Sequence, residues 1–232
     1  VWFHAPHLPV VADPNQVNRY KSESVYHRNY YGCITALDEQ VGRLRATLRQ
    51  LNVADNTMLW FCSDNGPEGK DGKAPGSAGG LRGRKRSLYE GGVRVPGILE
   101  WPAKIPAART TQFPAVTSDY LPTILDVLDL DFPSSRPLDG VSLLPTIEGI
   151  DKFRGKPIGF QSGKQCSYVG HQYKVISLDA GKTWELYDIL ADPSETANLA
   201  DQQPNRLQKM VAAFTAWSES CRNSDAGEDY DN

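Results

Sequence analysis

Apolar residues follow two spacings along this chain, and each spacing predicts a different element. From about Ser22 to Leu51 they recur every three or four positions, which is typical of an amphipathic helix. The stripe consists of Ile34, Leu37, Val41, Leu44, Leu48 and Leu51. The same spacing predicts a helix from Val116 to Leu128, with Ser118 as its N-cap, and another from Pro204 to Cys221.

Short, continuous apolar runs predict strands. Thr57–Cys62 and Val95–Trp101 are such runs, and the first follows the long helix directly. With a strand remnant near Val1, the order strand, helix, strand indicates a parallel sheet covered by helices. Shorter runs separated by Gly and Asp turns predict a small antiparallel sheet. They are Pro157–Gln161, Ser167–Ile176 and Trp184–Ile189.

The change of pattern near Ile150 predicts two parts in an α/β chain. Residues 1–150 are interpreted as part of a larger α/β domain, and residues 151–232 as a small antiparallel sheet with a packed helix. The net charge of −3 provides no field that favours nucleic acid. Four separated cysteines without a CxxC pair exclude a disulfide framework and a zinc ribbon. No apolar run approaches the roughly 20 residues of a membrane span.

The first candidate chemistry stands at the end of the Thr57–Cys62 run. Asp64 and Asn65 offer a carboxylate and a carbonyl oxygen, the ligands that calcium or magnesium prefers. Open α/β sheets bind ligands at the carboxyl ends of their strands. However, Asn-Gly is also an ordinary turn dipeptide, and calcium needs six to eight oxygen ligands. From this pair alone, a turn is the favoured interpretation.

A cationic, glycine-rich loop and a histidine loop add candidates for binding an anion. Lys85 could reach a sulfate or phosphate oxygen as a point charge, and Arg82 could contact the same anion or hold the loop. The glycines around them favour a packed backbone over a solvated basic loop. His7, between two prolines, could donate a proton to a leaving group, although a lone loop histidine is more often structural.

Several of these stretches occur in the order found in a known family. They are FHAPHLPV, ITALDEQVGRL, FCSDNGPE, GGLRGRKRSLYEGGVRVPGILEWPAKI, TSDYLPTILDVL and WELYDILADPSETANLA. Together they resemble the formylglycine-dependent (type I) sulfatases of the alkaline-phosphatase superfamily, in particular members like N-acetylgalactosamine-6-sulfatase and the arylsulfatases. The long glycine-basic-glycine block is the most specific of them. The resemblance implies an alkaline-phosphatase-like sheet covered by helices.

The resemblance also implies a mechanism. In this family a formylglycine attacks sulfur, while calcium and basic residues hold the sulfate. By position, Asp64 and Asn65 resemble a pair of calcium ligands, Lys85 resembles the lysine that contacts sulfate, and His7 resembles the histidine near the leaving oxygen. Lys85 and His7 are thus the expected catalytic and substrate-binding residues. Arg82 and Glu90 match the motif too, but only a role in shaping the loop is assigned to them.

The nucleophile motif of the family, Cys/Ser-x-Pro-x-Arg, does not occur in the chain. The sequence is therefore interpreted as the C-terminal portion of a sulfatase, separated from the N-terminal half of the same domain and inactive by itself. A sulfated sugar is the expected substrate, and an extracytoplasmic location (periplasmic, secreted or lysosomal) is the family expectation. Two alternatives stay open: a phosphonate or phosphodiester hydrolase of the same superfamily, and a non-catalytic binder of sulfated glycans.

Overall fold

A computed structural model describes residues 1–70, 73–132, 136–150 and 153–230 of the chain. Contacts group the chain into two compact units. The first consists of Val1–Ser77 and Val95–Ala107, and the second of Ala78–Arg94 and Ala108–Asn232. The division predicted between residues 150 and 151 stays a prediction, and its second part begins with two residues outside the described ranges.

The described part of the first unit contains two helices, two 3-10 turns and a two-stranded sheet. These are α1 (Pro14–Val17), a 3-10 turn (Asn18–Tyr20), α2 (Val25–Gln50), a 3-10 turn (Ala54–Asn56), β1 (Leu59–Cys62) and β2 (Gly97–Glu100). Helix α2 confirms the predicted long helix. It begins where the Ser24 hydroxyl accepts a hydrogen bond from the His27 amide at 3.2 Å, and it ends before Asn52, whose φ of 57° is left-handed. Its predicted stripe is only half-buried or exposed; the buried positions are Gly32 and Cys33.

The predicted parallel βαβ pairing is wrong within the described residues. β1 pairs with β2 in antiparallel register, from Leu59 opposite Glu100 to Cys62 opposite Gly97. Residues 1–13 contain no strand, so β1 has no parallel partner at that position. With one neighbouring strand, every residue of β1 is half-buried, whereas the apolar run predicted a buried strand.

The second unit, over its described residues, contains four helices, one 3-10 turn and a four-stranded sheet. They are α3 (Glu90–Val93), the 3-10 turn (Thr117–Asp119), α4 (Tyr120–Val127), α5 (Leu144–Ile147), β3 (Ile158–Ser162), β4 (Gln165–Val169), β5 (Tyr173–Ser177), β6 (Glu185–Asp188) and α6 (Pro204–Asp225). The strands lie in the order β3-β4-β5-β6, and each pair is antiparallel. The predicted antiparallel sheet and its closing helix are therefore confirmed. In the described part of the chain, no helix has the length and apolar character needed to cross a membrane.

Both faces of this sheet are buried, because alternate side chains of each strand pack in opposite directions. Val175 and Leu186 pack with Phe214 of α6 on one face. Their neighbours in sequence, Ile176 and Tyr187, pack on the other face with residues of the cationic segment that precedes α3. That segment contributes Leu88 and Tyr89 to the core. The cationic segment therefore packs directly against one face of the sheet.

The helix predicted from Val116 to Leu128 begins differently from its prediction. Asp119, and not Ser118, occupies the N-cap position of α4. Its carboxylate makes no capping bond to α4 and instead accepts a hydrogen bond at 2.8 Å from the amide of Val116, the N-cap of the preceding 3-10 turn. Asp119 is fully buried and is paired with Arg154 through two hydrogen bonds of 2.8 and 3.0 Å. A remote cation therefore holds the Asp119 side chain at the start of this helix.

Candidate active site

Asp64 and Asn65 form a compact turn at the carboxyl end of β1. The Ser63 amide continues the pairing with β2 by donating to the Pro96 carbonyl at 3.3 Å, and the Ser63 hydroxyl donates to the Asn65 carbonyl at 3.0 Å. The Asn65 carboxamide nitrogen donates to Asp64 Oδ1 at 2.6 Å. The turn therefore brings the two predicted ligand residues into direct contact at the position predicted from sequence.

The chemistry of this pair fits a hard cation. With its nitrogen donating to Asp64, the Asn65 carboxamide has Oδ1 as its remaining polar atom, and the Asp64 carboxylate is exposed. Two oxygens are a part of the six to eight that calcium takes. Among the described residues, no group of three or more His, Cys, Asp and Glu side chains could hold a metal ion. This unit therefore offers a partial ligand set.

His7 lies in a tight turn of the first unit. Its amide donates to the His4 carbonyl at 2.8 Å, and the two imidazole rings lie 5.1 Å apart. Its ring Nδ1 lies 2.8 Å from the Leu8 carbonyl oxygen. Because a carbonyl oxygen can only accept, Nδ1 carries the proton in this contact. Nε2 of the exposed ring is then the nitrogen that can exchange a proton with a substrate.

Lys85 occupies a corner of a β-turn in the second unit. The Ser87 amide donates to the Arg84 carbonyl at 3.0 Å, which places Lys85 and Arg86 at the two central positions. Arg86 has a φ of 74°, the left-handed conformation that the third position of a type II turn requires. Lys85 itself is half-buried. The conformation of the turn therefore fixes the position of the Lys85 backbone, from which the side chain extends.

The cationic segment is wound tightly back on α3. The Gly91 amide donates to the Arg82 carbonyl at 2.7 Å, which closes the loop that contains Lys85. A Cβ on Gly92 would lie 1.9 Å from the Ser87 carbonyl oxygen, so no larger residue fits there without moving the backbone. The predicted close packing of this glycine-rich loop is confirmed at these positions.

Arg82 holds the loop to the sheet. Its guanidinium lies 3.8 Å from the centre of the Tyr89 ring and donates to the Tyr187 hydroxyl at 2.8 Å and the Glu195 carbonyl at 3.2 Å. The hydroxyls of Tyr89 and Tyr187 both donate to Glu185, at 2.6 and 2.7 Å. Burial and donation to the Glu185 carboxylate raise the pKa of Tyr187 to about 12. Arg82 thus stabilises the loop, as predicted.

A buried ionic group lies beneath α3. Lys174 Nζ of β5 lies 2.9 Å from Glu90 Oε1 and 2.9 Å from Glu195 Oε1, and all three side chains are buried. Glu195 Oε2 also accepts a hydrogen bond from the Glu90 amide at 2.7 Å. Burial raises the pKa of Glu195, and the charge of Lys174 opposes that rise. The group fixes the first residue of α3 on the sheet.

Sequence reasoning missed the side chains that hold the Lys85 loop from a distance. Lys174, Gln165 and Glu195 lie 79 or more residues after Arg86 in the chain. Lys174 and Gln165 lie outside the quoted family motifs, and Glu195 lies within WELYDILADPSETANLA, which by itself does not indicate contact with the loop. One signal was available: Lys174 interrupts an apolar strand, and a lysine inside a buried strand needs a paired anion. The sequence of the strand did not indicate which anionic residue pairs with Lys174.

Known protein families match the segments that contain these candidate site residues. The family model described as "Sulfatase" matches residues 1–130, which include His7, Asp64, Asn65 and Lys85. This chain belongs to the Sulfatase family. A second model, described as "N-sulphoglucosamine sulphohydrolase, C-terminal", matches residues 83–217 of the sulfatase chain. The resemblance drawn from the sequence motifs is therefore confirmed.

Individual relatives are similar over much of the sulfatase chain. Choline-sulfatase of Rhizobium meliloti (strain 1021) is 32% identical over 81% of this chain and 36% of its own length. N-acetylgalactosamine-6-sulfatase of Sus scrofa is 34% identical over 68% of this chain and 31% of its own. The crystal structure of Ps i-CgsB in complex with k-i-k-neocarrahexaose has a TM-score of 0.82 at 28% identity, and the match covers 93% of this chain and 48% of that chain.

These matches confirm the α/β fold class, but they cover only part of each similar protein. The chain spans about a third of the two curated relatives and about half of the solved chain. The partial matches therefore do not establish the activity, substrate or partners of a whole protein. His7 and the Asp64–Asn65 pair belong to the first unit, and Lys85 belongs to the second.

Proposed function

We propose that this chain supplies part of the active site of a sulfuric ester hydrolase, with Asp64 and Asn65 as calcium ligands and His7 and Lys85 acting on the sulfate ester. The observation that carries the proposal is the match to the Sulfatase family over residues 1–130, since that stretch contains all four residues. The hydrogen-bonded Asp64–Asn65 pair at the end of β1 supports the proposed ligand role.

Lys85 acts as a fixed positive charge toward the sulfate oxygens. A sulfate ester carries negative charge on its sulfate oxygens, and the leaving oxygen gains negative charge as the S–O bond breaks. A positive charge that is already in place stabilises this change without reorganising at the moment of reaction. The turn that places Lys85, closed by the Arg82–Gly91 hydrogen bond, supports such a role.

His7 donates a proton to the leaving oxygen. Its Nδ1–H is held by the Leu8 carbonyl, so the proton that can be transferred sits on Nε2 of the imidazolium. After the transfer the ring is neutral and keeps the Nδ1 hydrogen bond unchanged. The Leu8 contact therefore supports Nε2 as the single proton-donating atom of His7.

The proposed site also needs a calcium ion and a nucleophile, and no side chain of this chain supplies either. When bound, calcium supplies positive charge at the sulfate oxygens, and the formylglycine of the family supplies the nucleophilic hydroxyl. Because the sequence lacks the Cys/Ser-x-Pro-x-Arg motif, we expect the 232-residue chain by itself to show no turnover and to bind calcium weakly. Measurable sulfatase activity of the purified 232-residue chain would contradict this part of the proposal.

A sulfated carbohydrate is the proposed substrate class, handled in an extracytoplasmic compartment. One relative is named N-acetylgalactosamine-6-sulfatase, and the similar protein Ps i-CgsB was solved with k-i-k-neocarrahexaose. Rates for sulfated sugars, a simple aryl sulfate and the matching phosphate esters, measured on the enzyme that contains this chain, test the class. Faster cleavage of the phosphate esters would favour the phosphodiester or phosphonate hydrolase. Salt-sensitive glycan binding without turnover or calcium dependence would favour the non-catalytic binder.

The role of Lys85 is tested by Lys85→Ala in the same enzyme. We expect kcat/KM for a sulfate ester to fall roughly 10²- to 10³-fold, the usual loss when a preorganised charge or donor is removed. Lys164→Ala, an exposed lysine of the same unit, is the matched control and should leave the rate unchanged. Equal rates for the two variants would refute the assignment of Lys85.

The role of His7 is tested by comparing leaving groups. His7→Gln should slow cleavage of an alkyl or sugar sulfate by roughly 10²- to 10⁴-fold, because the alkoxide needs a proton. It should slow cleavage of 4-nitrophenyl sulfate much less, because nitrophenolate leaves without one. His4→Gln changes the neighbouring exposed histidine and serves as the control. An equal loss for both leaving groups would exclude proton donation by His7.

A further inference from the structure

The carboxamide of Gln165 contacts the Lys85 turn on its C-terminal side. Its Nε2 donates to the Arg86 carbonyl at 2.8 Å, and its Oε1 accepts a hydrogen bond from the Leu88 amide at 3.0 Å. The two contacts join positions 77 and 79 residues apart in the chain. One side chain therefore bridges two backbone groups next to Ser87, where the turn closes.

The turn needs such support because of its backbone conformation. Arg86 has a φ of 74°, a conformation that non-glycine residues adopt rarely and keep only where the surroundings hold it. The hydrogen bond between Ser87 and Arg84 closes the turn, and the contact of Gln165 with the Arg86 carbonyl acts on the strained residue itself. That contact therefore adds to the support of the backbone next to Lys85.

Gln165 is placed rigidly enough to provide this support. It is the first residue of β4 and is paired with Ser162 across the β3–β4 hairpin. The preceding residue, Lys164, accepts a backbone hydrogen bond from Ala180 at 2.7 Å. A carboxamide is also the one acyclic side-chain group that offers a donor and an acceptor side by side. Glutamate has the same shape but, when ionised, would place an acceptor against the Arg86 carbonyl.

We infer that Gln165 is a positioning residue, which acts on sulfate-ester cleavage by holding the turn that presents Lys85. This inference rests on the proposed role of Lys85, and it adds a residue on another element to the determinants of that site. Gln165 does not touch substrate in this assignment. Its effect on the reaction passes through Lys85 alone, and that restriction makes the inference testable.

The first test is amide hydrogen exchange on the 232-residue chain. Gln165→Leu removes the acceptor of the Leu88 amide and should speed its exchange by roughly tenfold, the loss expected for one hydrogen bond, whereas Gln165→Glu keeps an oxygen for this amide and should change its exchange less. Gln161→Leu makes the same change in the same hairpin, at an exposed position, and should leave Leu88 unaffected. Unchanged protection of Leu88 in Gln165→Leu would overturn the inference.

The second test is a double-mutant cycle in the enzyme that contains this chain. Gln165→Glu should lower kcat/KM for a sulfate ester by roughly tenfold or more, since displacing a catalytic group by about 1 Å can cost up to 10²-fold. In the Lys85→Ala background the same change should have no further effect, because its target is gone. A merely structural defect would lower the rate equally in both backgrounds, and this result would overturn the inference.

The cycle also separates a failure of Gln165 from a failure of Lys85. If Lys85→Ala leaves kcat/KM unchanged, the proposed role of Lys85 fails, and this inference fails with it. If Lys85→Ala lowers kcat/KM and Gln165→Glu does not, only the role of Gln165 is refuted. Arg86→Gly provides a rescue, because glycine adopts the required φ without strain. In that background the effect of Gln165→Glu should shrink.

Discussion

Replacing Asp119 by asparagine perturbs one of the fully buried ion pairs described in the second unit. The side chains of Asp119 and Arg154 are both completely inaccessible to solvent. Each carboxylate oxygen accepts two hydrogen bonds, one from the guanidinium and one from a backbone amide, Val116 for Oδ2 and Val141 for Oδ1. Asparagine keeps one oxygen, so in either orientation its NH₂ group faces two donors.

The expected cost comes from these lost contacts. A charge-assisted hydrogen bond contributes about 1.5–3 kcal/mol, and a buried amide left without an acceptor costs about 1–3 kcal/mol. The guanidinium of Arg154 also loses its counter-charge. We therefore expect Asp119→Asn to lower the free energy of unfolding by about 3–5 kcal/mol, the usual cost of removing one partner of a buried pair. For a chain of this size, that loss corresponds to a fall in Tm of roughly 6–20 °C.

Urea unfolding of the 232-residue chain, followed by circular dichroism, measures this quantity. Glu100→Gln is the matched control, because Glu100 accepts two hydrogen bonds from Arg45 at 2.6 and 2.9 Å on an exposed surface. That change should cost less than about 1 kcal/mol. Asp119→Asn combined with Arg154→Met removes the orphaned charge and should be less destabilised than the sum of the single variants. If Asp119→Asn and Glu100→Gln cost the same, the argument from burial is wrong.

Two further predictions concern the support of the Lys85 loop. Because the pKa of Tyr187 is raised to about 12 in the folded chain, the unfolded chain loses this proton first, so stability should fall as the pH rises from about 10 to 12. Tyr187→Phe should flatten this fall in alkaline urea titrations, and an equally steep fall in that variant would refute the link. Gly92→Ala should destabilise the chain by about 1–3 kcal/mol, since its Cβ would lie 1.9 Å from the Ser87 carbonyl oxygen. Gly155→Ala, at a glycine with open space, is the control for thermal melts, and equal melting temperatures would show that the loop tolerates the methyl group.

The local elements of this chain were predictable because their signals are periodic. Helix α2 and the final helix α6 follow apolar spacings of three and four, and the C-terminal strands follow short apolar runs between Gly and Asp turns. The turn at Asp64 and Asn65 was predictable too, since a polar Asx-Gly segment directly follows an apolar run. Each of these signals lies within a few residues of the element it describes.

Partner choice was not predictable in the same way. The apolar run of β1 is compatible with parallel or antiparallel pairing, and the antiparallel partner β2 lies across the cationic loop. Local sequence did not show that Asp119, and not Ser118, occupies the N-cap position of α4. Asp119 pairs with Arg154, 35 residues further along the chain, and no local signal indicates that contact. Such choices depend on which remote side chains share a buried space.

The sequence alone determined the family, the long helices, the C-terminal strands, and the residue types that can bind a cation and an anion. Motif order and periodicity are properties of the chain itself, so no tertiary information was needed for them. Only the tertiary structure decided what holds the cationic loop: the Arg82 contact with Tyr187, the buried Lys174 group and the Gln165 carboxamide. These contacts join residues 77 or more positions apart, and burial strengthens those of the Lys174 group because water no longer competes for the same polar groups.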